Sequence, residues 1–403
     1  MTVATRRGAN GRPAGPRAAR VAAEPAAPAD ATTAVPPVHF DHEDLMVRRG
    51  RRSGRYVIIA IHSTALGPAL GGVRLWHYAA TIDGARDALR LAAGMTYKAA
   101  AAGLELGGGK GVICAPAGAP PRGGERRDML LDFADLVDSL EGRYITAEDV
   151  GISADDVVAI RERTEHVTGL PPERGGSGDP SPFTALGVEA AMRACARERF
   201  GSPDLSGTRV AVVGLGHVGE KLARRLAAVG AELLVSDIDD SKRSIAAELA
   251  AQWLDPGEAI LAECDLLAPC ALGGAIDPGN ASRLRCAIVC GSANNQLAED
   301  ELDEVLAARD ILYAPDFIIN AGGLIHVYKE LRGYSEDEAR ALVLGIEANV
   351  SRVLTAARER SVTPLRAACE LARERLARAS NGSPAAISPT DRGLAAPRGG
   401  VRD

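Results

Sequence analysis

The feature that most constrains this chain is a glycine pattern in a fixed setting. Gly214-Leu-Gly216-His-Val-Gly219 follows the apolar run Thr208-Arg-Val-Ala-Val-Val213 and opens a helical pattern over about 217–229. A continuous apolar run reads as a strand covered on both faces of a parallel sheet. Strand, glycine turn and helix together give GxGxxG its meaning. Gly214 makes the tight turn, Gly216 lets backbone approach a pyrophosphate, and Gly219 lets helix and strand pack closely. The anion then sits at the helix N-terminus, beside His217 and Val218, where N–H groups and the dipole favour it. Asp237 lies 23 residues beyond Gly214, at the end of the next strand, Glu232–Ser236. A carboxylate there accepts hydrogen bonds from both ribose hydroxyls and repels a 2′-phosphate, which favours NAD over NADP. Arg243 is near enough in sequence to serve a 2′-phosphate, so the second cofactor stays open.

Around this motif, strands and helices alternate. Further short strands are expected at 265–268, 286–290 and 311–313, which makes a doubly wound parallel sheet. Before it, Tyr56–His62 reads as a strand. Ile82, Ala85, Leu89, Ala92, Met95 and Ala99 mark one face of a helix over 82–102, with Asp83 near its start and Gly103 at its end. Helices are also expected at 126–140, 183–199, 323–330 and 336–378, and short strands at 111–114 and 144–145. The Pro- and Gly-rich stretch 171–182 is the natural hinge. At roughly 150 residues per domain, a chain of 403 residues with two biased ends fits two domains. The expected division is a tail over 1–37, a first α/β domain over 38–179, the nucleotide domain over 180–335, C-terminal helices over 336–379 packing back toward the first domain, and a second tail from 380 to 403. The first tail holds almost no apolar bulk and is expected to be disordered. Its arginines give it the look of a transit peptide, and it has no apolar stretch of the secretory kind.

Positive charge is written almost wholly as arginine: of 47 basic residues only Lys98, Lys110, Lys221, Lys242 and Lys329 are lysine. Two of these frame a glycine run. Lys98 stands near the end of the 82–102 helix, and Lys110 follows Gly107-Gly108-Gly109, where glycines would let the backbone turn tightly. Two ammonium groups facing one cavity depress each other's pKa, and burial adds to the effect. Such a pair suits a substrate with a carbonyl next to a carboxylate. Asp149, in Thr146-Ala-Glu-Asp-Val-Gly151, lies between a strand and a helix. It reads either as a proton carrier in a cleft or as a helix N-cap, and Glu148 beside it fits both roles equally.

Other classes are excluded or disfavoured. A net charge of −6 argues against a nucleic-acid surface, and no run of 18 apolar residues exists to span a membrane. The seven cysteines show no CxxC pair and no histidine at ligand spacing, so no metal site is expected. They read as small buried thiols, and the seven scattered histidines as structural.

Eight blocks, in order, carry a resemblance to a known family: LGPALGGVRLW (66–76), GMTYKAAAAGLELGGGKGVI (94–113), GRYITAEDVG (142–151), GDPSPFTA (178–185), GLGHVG (214–219), APCALGGAI (268–276), CGSANNQL (290–297) and YAPDFIINAGG (313–323). The chain resembles the leucine/valine/phenylalanine branch of the Glu/Leu/Phe/Val amino-acid dehydrogenases. The resemblance implies a substrate-binding and oligomerisation domain separated by a cleft from a Rossmann domain. It also implies reversible, NAD-dependent oxidative deamination of an apolar L-amino acid to a 2-oxo acid, ammonia and NADH. Lys110 and Asp149 match the catalytic lysine and acid/base, and Lys98 the lysine that grips the α-carboxylate. Gly71, Gly72 and Asn294 match substrate-side positions, and Ala271, Asn295 and Asn320 cofactor-side ones. In the glutamate enzymes a lysine stands where this chain has Leu70, and an apolar residue there would leave a distal carboxylate unpaired. Leucine, valine or isoleucine is therefore expected, with an aromatic amino acid as the alternative and a non-catalytic nucleotide-binding relative as a further one. Ala99 and Val73, where relatives carry Asn and Thr, bear on substrate range. A cytoplasmic homo-oligomer, handling only small molecules and no membrane or nucleic acid, completes the expectation.

Overall fold

The structure, a computed structural model, describes residues 41–381. The expected N-terminal tail and nearly all of the C-terminal one lie outside the described residues; 380 and 381 end the last helix. The first sheet is built from β1 (Asp44–Arg49), β2 (Tyr56–Ser63), β3 (Ala69–Leu70), β4 (Val73–His77), β5 (Gly107–Ala115) and β6 (Tyr144–Ile145). Its order is β1-β2-β5-β3-β6, with β4 also paired to β5; β1, β2 and β5 run antiparallel, and β3 and β4 lie parallel to β5. Helix α1 (Thr81–Ala101) covers one face, while α2 (Gly123–Asp138) and α3 (Ala154–Arg161) flank the other.

This two-sided cover explains why β2 is apolar without alternation. Ile58 and Ala60 pack on Ala85, Ala88 and Ala92 of α1, while Val57, Ile59 and Ile61 pack on Met129, Phe133 and Leu136 of α2. All five strand residues are fully buried, and each large one contributes about 2 kcal/mol of burial free energy. The α1 face is alanine because the sheet comes close.

The same closeness corrects the expectation for the glycine run. Gly107, Gly108 and Gly109 do not form a tight turn; they begin β5. A Cβ at Gly108 would lie 2.1 Å from the Thr96 backbone nitrogen of α1, and one at Gly109 would lie 2.6 Å from the Tyr144 ring. The glycines let a helix and an aromatic ring close on the strand, and so carry Lys110 into the interior.

The second sheet is wholly parallel. It comprises β7 (Arg209–Val213), β8 (Glu232–Ser236), β9 (Gln252–Trp253), β10 (Leu266–Pro269), β11 (Ile288–Val289) and β12 (Leu312–Tyr313), in the order β12-β11-β10-β7-β8-β9. The order reverses between β7 and β10, where a doubly wound sheet opens its ligand crevice. Helices α4 (Ser181–Phe200), α5 (His217–Ala228), α6 (Arg243–Glu248), α7 (Pro256–Ala259) and α8 (Leu302–Ala308) belong to this half. Short α9 (Asp316–Ile319) and α10 (Gly322–Glu330) lead to α11 (Glu336–Leu344), α12 (Ile346–Arg360) and α13 (Pro364–Asn381). The protein has a two-domain α/β fold. No described helix is long and apolar enough to cross a membrane.

The C-terminal helices return to α1. Arg375 of α13 donates to the carbonyls of Ala100 (2.8 Å), in the last turn of α1, and Leu104 (2.9 Å), just beyond it. Within the expected hinge, Ser177 donates through its backbone N–H (3.0 Å) and hydroxyl (2.6 Å) to Glu330 of α10.

Two alanine substitutions separate close packing from helix propensity. Gly108→Ala is expected to lower stability by about 3 kcal/mol, at the upper end of overpacking costs. Gly94→Ala, in α1 with nothing within 4 Å of the new methyl, should raise stability by about 1 kcal/mol. Urea-unfolding midpoints of the two variants check the contrast.

Candidate active site

Lys110 stands on β5, opposite Ala60 of β2, and is 5% exposed. Its ammonium donates to the Asp149 carboxylate at 2.7 Å. Asp149 is not an N-cap: Ser153 caps α3, accepting from the Asp156 backbone N–H. That leaves Asp149 in the loop between β6 and α3, turned toward the lysine. Burial acts to raise its pKa, but the Lys110 ammonium and Arg74 guanidinium outweigh this and hold the carboxyl below its ordinary range. Lys110 is pulled the other way: burial pushes its pKa down, and Asp149 partly restores it. Glu148, the neighbour of equal standing in the sequence, is exposed.

Arg74 was not singled out by the sequence. From β4 its Nε donates to the same Asp149 oxygen at 3.2 Å, and its Nη1 donates to Asp87 of α1 at 2.8 Å. Asp87 also accepts from the Tyr78 hydroxyl at 2.7 Å. The guanidinium therefore joins the carboxylate to α1. The available signal was a charged residue inside Val73–His77, a short strand with buried Val73 and Leu75 on either side of it.

Lys98, in the last turn of α1, reaches across to the second domain and donates to Asn294 Oδ1 at 3.1 Å. It keeps partial solvent contact. Burial nevertheless pushes its pKa down to about 8, with the charge of Lys110 adding to the effect and Asp316 opposing it. The charge of Lys110 thus reaches Lys98. Asp316, 8% exposed, is a second residue the sequence reading passed over; it lies inside the YAPDFIINAGG block, at the start of α9. It accepts from the backbone N–H of Asn295 and of Phe317 (2.8 Å), and burial raises its pKa.

Asn320 is 6% exposed, and its amide donates to Asn294 Oδ1 at 2.9 Å and to the Ser292 carbonyl at 3.2 Å. Lys98, Asn294 and Asn320 therefore form one chain. The Asn320 Oδ1 is buried without a hydrogen-bond partner. Asn295 adopts a positive φ of 50° beside them. Gly71 and Gly72 lack side chains because protein backbone fills the space: a Cβ would meet the Gly109 carbonyl at 1.7 Å and the Glu148 carbonyl at 2.5 Å. Leu70 on β3 is 3% exposed and shares a cluster with Ala99 and Leu106.

At the glycine turn of the second sheet the three glycines meet different surroundings. Gly214 has a φ of 105°, and a Cβ there would meet Ala271 at 2.8 Å. A Cβ at Gly219 would meet the Gly214 carbonyl at 1.9 Å, so this glycine is fixed by helix–strand contact. At Gly216, the residue before α5, a Cβ would meet nothing within 4 Å. His217 is exposed and Val218 half-buried on the first turn that follows. Asp237 accepts from the Leu215 N–H at 2.6 Å and the Asp239 N–H at 2.9 Å, which sets its carboxylate at the mouth of the turn. Open space at the helix N-terminus, a carboxylate at the next strand end and the partnerless buried Asn320 oxygen fit a dinucleotide. Arg243 pairs with Asp240 at 2.9 Å and lies over the Trp253 ring at 4.7 Å.

Comparison with known proteins agrees with the two-domain fold. Residues 43–166 match the family model "Glu/Leu/Phe/Val dehydrogenase, dimerisation domain", and 234–383 match "Glutamate/Leucine/Phenylalanine/Valine dehydrogenase". Residues 187–272 match the NAD-binding domain of D-isomer-specific 2-hydroxyacid dehydrogenases. The chain is 45% identical over 338 residues to leucine dehydrogenase of Thermoactinomyces intermedius, covering 84% of this chain and 91% of the relative. It is 42% identical over 339 residues to valine dehydrogenase of Streptomyces virginiae, covering 83% and 94%. The crystal structure of L-tryptophan dehydrogenase from Nostoc punctiforme superposes with a TM-score of 0.75 at 39% identity, covering 85% of this chain and 97% of that one.

The depressed pKa of Lys98 has a consequence for stability. Its folded value, about 8, lies below the unfolded value near 10.4, so between these the unfolded chain binds more protons. Stability therefore rises with pH through this window. Lys98→Met should remove up to about 3 kcal/mol of that rise. Unfolding free energies of both proteins at pH 7.5 and 10.5 check this, the difference between the two slopes being the quantity read.

Proposed function

From the premise that this chain belongs to the glutamate/leucine/phenylalanine/valine dehydrogenase family, we propose that it deaminates an apolar, branched-chain L-amino acid oxidatively, using NAD. The observation that carries the reading is the buried Lys110–Asp149 pair at 2.7 Å, with Lys98 in the same electrostatic environment. Bound nicotinamide dinucleotide supplies the hydride acceptor for the α-hydrogen. The protein's residues do the rest. Lys98 holds the α-carboxylate as an ammonium. Once the α-hydrogen has left as hydride, Lys110 assists the attack of water on C-α and polarises the carbinolamine oxygen that the water supplies. Asp149, already ionised, takes a proton from the attacking water and delivers one to the departing ammonia. Arg74 is a positioning residue: tied to Asp87, it fixes the carboxylate against Lys110.

Gly214, Gly216, His217, Val218 and Gly219 would hold the pyrophosphate, and Asp237 the ribose. Ala271, Asn295 and Asn320 would line the nicotinamide side, with Asn320 Oδ1 accepting from the carboxamide. NAD is favoured over NADP because Asp237, Asp239 and Asp240 crowd the strand end with negative charge. Arg243, the cation that could have met a 2′-phosphate, is engaged by Asp240 and Trp253. Gly71, Gly72 and Asn294 sit on the substrate side. Leu70 offers no charge to a distal carboxylate, which disfavours glutamate. The match to a dimerisation domain supports a homo-oligomer, and the seven free thiols suit a reducing cytoplasm.

Lys110→Ala and Asp149→Asn should each lower turnover at least about 100-fold, within the range of a lost acid/base, while NADH still binds. Near-normal turnover in either variant sinks its assigned role. A panel of L-amino acids at alkaline pH, read by NADH formation, should favour leucine, valine and isoleucine; preference for tryptophan or phenylalanine would move the substrate to the aromatic class of the Nostoc neighbour. Asp237→Ala is expected to erode the ratio of kcat/KM for NAD over NADP at least about tenfold, the worth of one good hydrogen bond.

A further inference from the structure

A second constellation lies in the first domain, at the start of the β1–β2 hairpin. The antiparallel register sets Asp44 opposite Ile61, and the Glu43 N–H donates to the His62 carbonyl at 3.3 Å. This brings the segment Asp41-His42 against His62, twenty residues on. The two imidazole rings meet edge to face, with centroids 4.7 Å apart.

Hydrogen bonding fixes both ring tautomers. His42 Nε2 lies 2.8 Å from the Leu89 carbonyl, which can only accept, so Nε2 carries the proton. His62 Nδ1 lies 2.9 Å from Thr96 Oγ1. The Thr96 hydroxyl spends its proton on the Ala92 carbonyl at 3.3 Å, so it accepts, and His62 Nδ1 is the donor. In neutral rings of these tautomers, His42 Nδ1 and His62 Nε2 present lone pairs. The Asp41 carboxylate faces both, at 3.0 Å and 3.6 Å respectively. All three candidate donor atoms lie within 4.8 Å of one another.

A cation placed between the two imidazole nitrogens and the carboxylate would be met by all three donor atoms. A proton on His42 would satisfy the 3.0 Å contact. At 3.6 Å the His62 contact is too long for a hydrogen bond. It is close to the roughly 3.4 Å between donor atoms around a tetrahedral ion with 2.0–2.2 Å bonds. The outward bonds to Leu89 and Thr96 are the second-shell contacts that orient metal-ligating histidines. Asp41 is exposed, which gives an ion a way in. Glu43 next to it is committed elsewhere, accepting from the Thr64 N–H (2.6 Å) and hydroxyl (2.7 Å).

We propose that Asp41, His42 Nδ1 and His62 Nε2 form a binding site for a divalent transition metal of the zinc class, with water completing the shell. The ion clips the entry of the hairpin to α1 through Leu89 and Thr96, two residues before Lys98. Its role is structural, separate from the nucleotide crevice and from the Lys110–Asp149 pair.

The test uses the full chain after chelator treatment, with Zn²⁺ alone and Co²⁺ alone as probes. Calorimetric titration should give saturable binding, and Zn²⁺ should raise the thermal midpoint. His42→Gln and Asp41→Asn should each weaken binding at least about tenfold and abolish the thermal shift, while their metal-free midpoints stay near that of the wild type. Bound Co²⁺ should show visible bands without a thiolate charge-transfer band. Absence of saturable binding would overturn the site. Undiminished binding in the two variants, or a thiolate band pointing to the cysteines, would overturn it equally.

Discussion

The ion pair between Lys110 and Asp149 is the interaction around which the first domain is organised. Burying an ammonium and a carboxylate costs several kcal/mol for each ion unless geometry and further hydrogen bonds offset it. Here the offset is spread over neighbouring elements. Lys110 comes from β5, Asp149 from the loop after β6, Arg74 from β4 and Asp87 from α1. Each charge has an opposite charge against it, so the chain Lys110–Asp149–Arg74–Asp87 is satisfied link by link. The result is a lysine and a carboxylate held against each other by four elements of the first domain.

Reaching that arrangement imposes a requirement on the backbone. Lys110 is interior only because the strand that carries it begins with three glycines. Side chains on them would hold off α1, the β2–β3 connection and Tyr144. The alanine face of α1 answers the same requirement from the other side. The helix that lies this close also delivers Lys98, from its last turn, to Asn294 of the second domain, whose Oδ1 also accepts from Asn320. Arg375 then binds the carbonyls at the end of α1. Packing, charge placement and contact between the domains are thus coupled through one helix.

The nucleotide half was the more legible part. A glycine turn between a buried strand and a helix is local, so its meaning survives without knowledge of distant partners, and Gly214, Gly216, Gly219 and Asp237 stand where their spacing put them. The glycine run before Lys110 was misread for the opposite reason. Locally a run of glycines looks like a turn. Its actual cause, the approach of Thr96 and Tyr144, lies 12 or more residues away in each direction. Arg74 and Asp316 escaped for a related reason: each is a single charged residue in a short element, and only its distant partners give it meaning.

Sequence alone determined the fold class, the nucleotide turn and the two lysines as candidates, because these depend on periodicity, turn chemistry and the rarity of one residue type. Tertiary structure alone decided which acid of Glu148-Asp149 meets Lys110, that Ser153 rather than Asp149 caps α3, that Arg74 and Asp316 join the network, and that Asp41, His42 and His62 converge. Those outcomes depend on strand register and helix approach, which bring together groups far apart along the chain, and a linear pattern carries no record of distances between its distant parts.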